Sequence, residues 1–133
     1  MATTASIQEV LNPLFPGLMG IQLLEVTPER VVATMEVRPD LCTTGKVLHG
    51  GAIMAFADTL GAVGTIAILQ DTRTTTIESK TNFLLAAPEG SLITAECTAF
   101  HRGKTTMVWQ TQIKTDTGKL CAVVTQTQLV LPL

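Results

Sequence analysis

Asp58 has the most chemistry to offer. It is the one acidic side chain in a run from Leu48 to Leu69 that is otherwise mostly small or apolar. Burial among such neighbours strips a carboxylate of water and raises its pKa. A carboxylate so placed suits general-base work near neutrality, or nucleophilic attack. The plainer reading is a helix Asp that reaches solvent or a cap. Just upstream, His49-Gly50-Gly51 stands where a loop enters the run. Two glycines let a ligand approach the backbone closely. A helix N-terminus there offers free N–H groups and a positive dipole end, which can stabilise the oxyanion of an acyl transfer. A tight turn with a structural histidine is the competing reading.

The two pieces constrain each other. Gly50 and Asp58 are separated by eight positions, about 12 Å along a helix. One chain's Gly50 N–H and Asp58 carboxylate cannot both touch one carbonyl group. Two copies of the helix packed antiparallel bring one Gly50 opposite the other Asp58, so a twofold dimer holds two equivalent sites. A monomer is then expected to be inactive.

The elements that position these residues follow from periodicity. Ser6-Ile7-Gln8-Glu9 fits a capping box that opens a short helix ending before Pro13. Asn12-Pro13 and Pro16-Gly17 are turn signals. Residues 19–26, then Val31, Ala33, Met35 and Val37 in alternation with polar neighbours, read as a β-hairpin. Residues 40–48 are a loop, followed by a helix to about Leu69. Gly51, Ala55, Asp58, Ala62 and Thr65 share one small-residue face of that helix; Ile53, Phe56, Leu60 and Ala67 form a bulkier face for a sheet. Gly61 and Gly64 weaken a helix, so close packing must compensate. Alternation resumes at Thr74, Thr76, Glu78, Lys80 and Asn82. Strands over 91–101, 105–115 and 119–131 are divided by turns at His101-Arg102-Gly103-Lys104 and Asp116-Thr117-Gly118. The pattern predicts an α+β domain, an antiparallel sheet against one helix. It spans 1–133 as a single domain, with 1–17 as an N-terminal extension.

Composition narrows the classes. Charged residues make up 15% of the 133, so extra surface is expected to be buried in an oligomer. A net charge of −2 argues against a nucleic-acid partner, yet leaves room for a local basic site. Cys42, Cys97 and Cys121 lack metal or redox spacing, and only His49 and His101 accompany them. We expect free thiols, no metal and no cofactor. The N-terminus lacks the basic and apolar regions of a signal peptide, so the expected location is the cytoplasm. The central run is long enough to invite a membrane reading, but Asp58 at its centre would be costly in lipid. No membrane partner is expected.

His49-Gly50-Gly51 with Ala57-Asp58, followed by Thr76-Ile77-Glu78-Ser79-Lys80-Thr81-Asn82-Phe83-Leu84, resembles the hotdog-fold acyl-CoA thioesterases. The closer likeness is to the phenylacetate-degradation-type branch of the 4-hydroxybenzoyl-CoA thioesterase superfamily, over roughly residues 10–130. The resemblance implies a long central helix wrapped by a curved antiparallel β-sheet, paired into a homodimer and commonly a homotetramer. It implies an acyl-CoA substrate, with an aromatic or medium-chain acyl group favoured. Asp58 matches the family's catalytic carboxylate, acting as base or nucleophile. Gly50 matches the glycine whose N–H polarises the thioester carbonyl from the other subunit, and His49 the histidine that orients the site. Thr76 matches a hydroxyl position that can hold the water. The family usually has Asn or Gln six residues before the histidine; here Thr43 stands there, and with Gly51 it is the expected substrate contact. Arg102 and Lys104 form a local basic turn suited to CoA phosphates. Two other functions suit the same fold: an acyl-thioester dehydratase or hydratase working through His49, and an acyl-CoA-binding protein without catalysis. Met54, Phe56, Phe83 and Trp109 are either pocket lining or core.

Overall fold

The computed structural model describes residues 2–133. It begins with two short helices, α1 (Thr4–Leu11) and α2 (Phe15–Met19). The capping box lies three residues earlier than the sequence suggests. Thr3 is the N-cap, and its hydroxyl accepts from the Ser6 N–H at 3.0 Å. Ser6 Oγ accepts from the Thr3 N–H at 2.8 Å, so a serine performs the task expected of Glu9. Pro16-Gly17 is helix rather than turn. Pro16 sits in the first turn of α2, where its missing N–H costs nothing, and left-handed Gly20 (φ 81°) ends it. The first strand therefore starts at Gln22, not Met19.

Strands β1 (Gln22–Val26) and β2 (Arg30–Glu36) form the expected hairpin, with Val31, Ala33 and Met35 buried. The expected loop contains a 3-10 turn (Pro39–Leu41) and a small hairpin, β3 (Cys42–Thr43) with β4 (Val47–Leu48). Helix α3 runs from Gly50 to Ile68, and β5 (Thr72–Phe83), β6 (Leu92–Arg102), β7 (Thr106–Lys114) and β8 (Leu120–Pro132) follow. His101 and Arg102 belong to β6, so the turn is shorter than the sequence suggests. The main sheet is antiparallel in the order β1-β2-β6-β7-β8-β5. Strand β5 is one edge. At the other edge, the Gln8 side chain accepts from the Leu23 N–H at 2.6 Å and donates to the Ile21 carbonyl at 3.0 Å.

Helix α3 lies against this sheet with Ile53, Phe56 and Leu60 buried, as the bulky face requires, while Ala67 is only half-buried. Phe56 and Trp109 are core; Met54 and Phe83 are exposed. The helix glycines now have a reason. A Cβ on Gly64 would stand 2.6 Å from Trp109 Cη2, and one on Gly61 would strike the Gln126 side chain. Both sheet side chains reach through these gaps. Trp109 Nε1 donates to Thr65 Oγ1 at 2.9 Å, and Gln126 Nε2 donates to the Ala57 carbonyl at 2.7 Å. Two buried hydrogen bonds and an indole packed on the helix offset about 1 kcal/mol of helix propensity per glycine.

Candidate active site

Strand β5 meets α3 at Asp58. Thr76 Oγ1 donates to Asp58 Oδ1 at 2.5 Å. Thr76 is placed by an irregularity in the β5–β8 ladder between Thr76 and Glu78, which leaves Ile77 outside the pairing and exposed. Before it, Thr72, Thr74 and Thr76 face inward; after it, Ser79 and Thr81 do. The unbroken alternation expected over 74–82 is thereby corrected: the extra residue reverses the phase and turns Glu78, Lys80 and Asn82 outward.

Proton accounting fixes the direction of this network. Gln128 Nε2 donates to Thr76 Oγ1 at 2.6 Å. The one proton on Thr76 is therefore aimed at Asp58. Gln128 Nε2 also donates to Gln126 Oε1 at 2.6 Å, and Gln128 Oε1 accepts from Thr74 at 2.8 Å. The chain Ala57–Gln126–Gln128–Thr76–Asp58 ties the carboxylate to the backbone of its own helix. Asp58 itself is half-buried. Its second oxygen, Oδ2, makes no hydrogen bond among the described residues. Gln126 and Gln128 are both fully buried, and neither was singled out from the sequence. Their signal was there: they occupy the inward phase of a strand that otherwise buries Ala122 and Val124.

His49 is the N-cap of α3. Its Nδ1 accepts from the Gly51 N–H at 2.7 Å. In the neutral ring the proton is then on Nε2, which points the free nitrogen out as a donor. The Gly50 N–H has no partner among the described residues, as the first position of a helix allows. Gly50 packs close to Phe83: a Cβ would lie 3.2 Å from the ring.

One chain does not bring these groups together. Asp58 lines a cavity of about 560 Å³. His49 and Gly51 line a second, of about 420 Å³, and Gly50 a third, of about 410 Å³, beside Phe83 and Leu84. Thr43 is exposed on β3, paired with Val47. Arg102 and Lys104 are exposed at the β6–β7 turn. Arg102 shares a register row with Met107, Gln128 and Thr76, about 14 Å from Thr76 across three strand spacings. Among the described residues no three His, Cys, Asp or Glu side chains converge as a metal site. Cys97 and Cys121 are buried and Cys42 half-buried, all as free thiols. Burial pushes the Cys97 thiol up to about 12.

A long helix packed on a six-stranded antiparallel sheet defines a hotdog-fold domain. A thioesterase of Haemophilus influenzae has the same fold, with a TM-score of 0.94 and 27% identity, covering all of this chain and 93% of that one. Residues 45–122 match the family model of the thioesterase superfamily, and the chain belongs to that family. A 1,4-dihydroxy-2-naphthoyl-CoA hydrolase of Listeria monocytogenes is 29% identical over 79% of this chain and 85% of its own length. A Deinococcus radiodurans protein, named provisionally as an esterase, is 35% identical over 76% of this chain and 64% of its own length.

Proposed function

We propose that this chain hydrolyses acyl-CoA thioesters at a site shared between two copies, with Asp58 as its carboxylate. The observation that carries the reading is the Asp58–Thr76 hydrogen bond, held from behind by Gln128. It fixes Oδ1 and leaves Oδ2 free to take a proton from water or to attack the thioester carbon. With water as nucleophile, its oxygen bonds to the acyl carbon, its proton passes to Asp58, and the C–S bond breaks. The thiolate leaves and receives that proton, giving a carboxylic acid and free CoA.

Charge develops on the carbonyl oxygen as the carbon becomes tetrahedral. The unpartnered Gly50 N–H, at the positive end of α3, suits that oxygen. The spacing of Gly50 and Asp58 along one helix, about 12 Å, and their separate cavities support a partner chain as its source. Strand β5 is an unpaired edge of 12 residues beside Asp58, and supports edge-to-edge pairing into a homodimer. Assembly into a homotetramer and residence in the cytoplasm remain part of the proposal. His49, with Nε2–H outward, orients the thioester beside Gly51 and Thr43, and Arg102 and Lys104 meet the CoA phosphates.

His49 also separates this reading from a dehydratase. A dehydratase built on His49 needs that ring to remove a proton, whereas the Gly51 contact leaves a donor facing out. Incubation with a panel of aromatic, medium-chain, 2-enoyl- and 3-hydroxyacyl-CoAs, followed by mass spectrometry, tests the proposal. Equal amounts of acid and CoA are expected. An acyl-CoA changed by 18 mass units with its thioester intact contradicts it, as does an unchanged panel.

A further inference from the structure

We infer that the N-terminal helices α1 and α2 form the specificity wall of the acyl chamber, that the chamber takes hydrocarbon acyl groups without polar substituents, and that Gln8 is the latch that positions the wall. The inference rests on the thioesterase reading above. The cavity of about 560 Å³ has Asp58 on one side, with Val63 and Ile66 beyond it on α3. Its opposite side is Ile7, Val10 and Phe15, contributed by residues that precede the segment matched to the family, 45–122. A carbonyl held at Asp58 points its acyl tail between these two sides. That is what commits the cavity to the acyl group.

The lining sets the chemistry of the tail. Two hydroxyls touch the cavity besides the carboxylate, and the proton of each is already engaged. Ser6 Oγ donates to the Thr3 carbonyl at 3.0 Å, and Thr59 Oγ1 to the Ala55 carbonyl at 2.9 Å. A keto group on the tail would lose its water and find no free side-chain donor, and a hydroxyl beyond reach of Asp58 would have only the already engaged Ser6 and Thr59 oxygens to donate to. An alkyl chain or an unsubstituted ring loses nothing there.

The wall is held in an unusual way. Helix α1 buries no residue completely. Ile7 and Leu11 pack against the core but are themselves only partly buried. The Gln8 amide also pairs with the backbone at the start of β1 on both its atoms, accepting from Leu23 and donating to Ile21 just before the strand. It does what a further strand would do at that edge, and so fixes the distance between Val10 and α3. Gln8 does not line the cavity; it is a positioning residue.

The test is kcat/KM for acetyl-, butanoyl-, octanoyl-, benzoyl- and 4-hydroxybenzoyl-CoA. Wild type should gain about fourfold per methylene until the chamber fills. Benzoyl should exceed 4-hydroxybenzoyl by about tenfold or more. Val10→Trp places bulk in the chamber from an exposed position, so folding is not threatened. It should cut the octanoyl-to-acetyl ratio at least about tenfold. Gln8→Ala should raise KM for octanoyl-CoA several-fold while its kcat holds, a split that general destabilisation does not produce. If wild type hydrolyses acyl-CoAs but prefers the hydroxylated ring, or both variants keep the wild-type profile, the wall is refuted and the thioesterase reading stands. If wild type hydrolyses none of the panel, both fall together.

Discussion

The Thr76 hydroxyl donates to Asp58 Oδ1 at 2.5 Å and accepts from Gln128 Nε2 at 2.6 Å, so the donor to the carboxylate has its direction imposed from the sheet. Thr76→Val keeps the shape and removes that donor. We expect kcat to fall about 10- to 100-fold with KM little changed, because the carboxylate loses its orientation. Thr76→Ser should recover most of the loss. Steady-state kinetics on the three proteins decide it; an unaltered kcat in Thr76→Val would remove Thr76 from the site.

Gln128 should matter for the same reason at one remove. Gln128→Leu leaves Thr76 free to turn its proton elsewhere, and leaves Gln126 Oε1 without its donor. Activity should fall, and stability by about 1–3 kcal/mol from the unpaired buried group. Urea denaturation beside kcat separates the two effects. A variant as stable and as active as wild type speaks against the network.

The shared site has its own test. Gly50→Pro removes the one N–H at a helix position that tolerates proline, and the exposed Phe83 ring, 3.2 Å from a Cβ there, has room to give way. Residue His49 already has the extended backbone (φ −63°, ψ 137°) that a following proline requires. Gly50→Pro and Asp58→Asn should each be nearly inactive alone. Mixed by unfolding and refolding together, they should recover about one quarter of wild-type activity, since half the dimers carry one intact site of two. A mixture no better than its parents places both groups in one chain.

Gly64→Ala tests the helix–sheet contact. Its Cβ would meet the buried Trp109 ring at 2.6 Å. The gain in helix propensity, up to about 1 kcal/mol, should be outweighed by overpacking of about 1–3 kcal/mol. A lowered denaturation midpoint is expected; a raised one would mean that the ring shifts without penalty.

Much of the fold was legible because period and punctuation agree. Val31, Ala33 and Met35 announced β2, and Ile53, Phe56 and Leu60 announced the face of α3. The N-terminus misled because Ser6 fits either position of a capping box, and Pro16 suits a first helical turn as well as a loop. The phase reversal at Ile77 was hidden because Thr, Ser and Lys on both sides carry little hydrophobic contrast. Asp58, His49 and Gly50 stood out by type and spacing. Gln126 and Gln128 did not, since their partners lie in other elements and the hydrogen bonds that make burial possible exist only in the fold. Of the residues readable as either pocket lining or core, Phe56 and Trp109 are core, and the apolar cavity beside Asp58 is lined by Ile7, Val10 and Phe15, which no sequence pattern singles out.

The alkaline limb of stability should carry the signature of Cys97. Folded, its thiol keeps its proton to about 12; unfolded, it ionises near the ordinary 9.0. Above pH 9 ionisation favours the unfolded chain, so stability present below that pH should be lost progressively between about 9 and 12. With no tyrosine in the sequence, fewer groups obscure the slope. Cys97→Ala should start less stable and flatten this limb. Equal slopes for the two proteins would contradict the assignment.

The central claim is hydrolysis through Asp58, and thiol release measures it most directly. Acyl-CoAs are incubated with wild type and with Asp58→Asn, and free CoA is read with a disulfide reagent after removal of the protein. Asparagine keeps the size and can still meet Thr76, but neither takes a proton nor attacks. The account predicts release by wild type and a loss of at least about a hundredfold in the variant, with the oligomeric state unchanged. Equal release by the two proteins would contradict it.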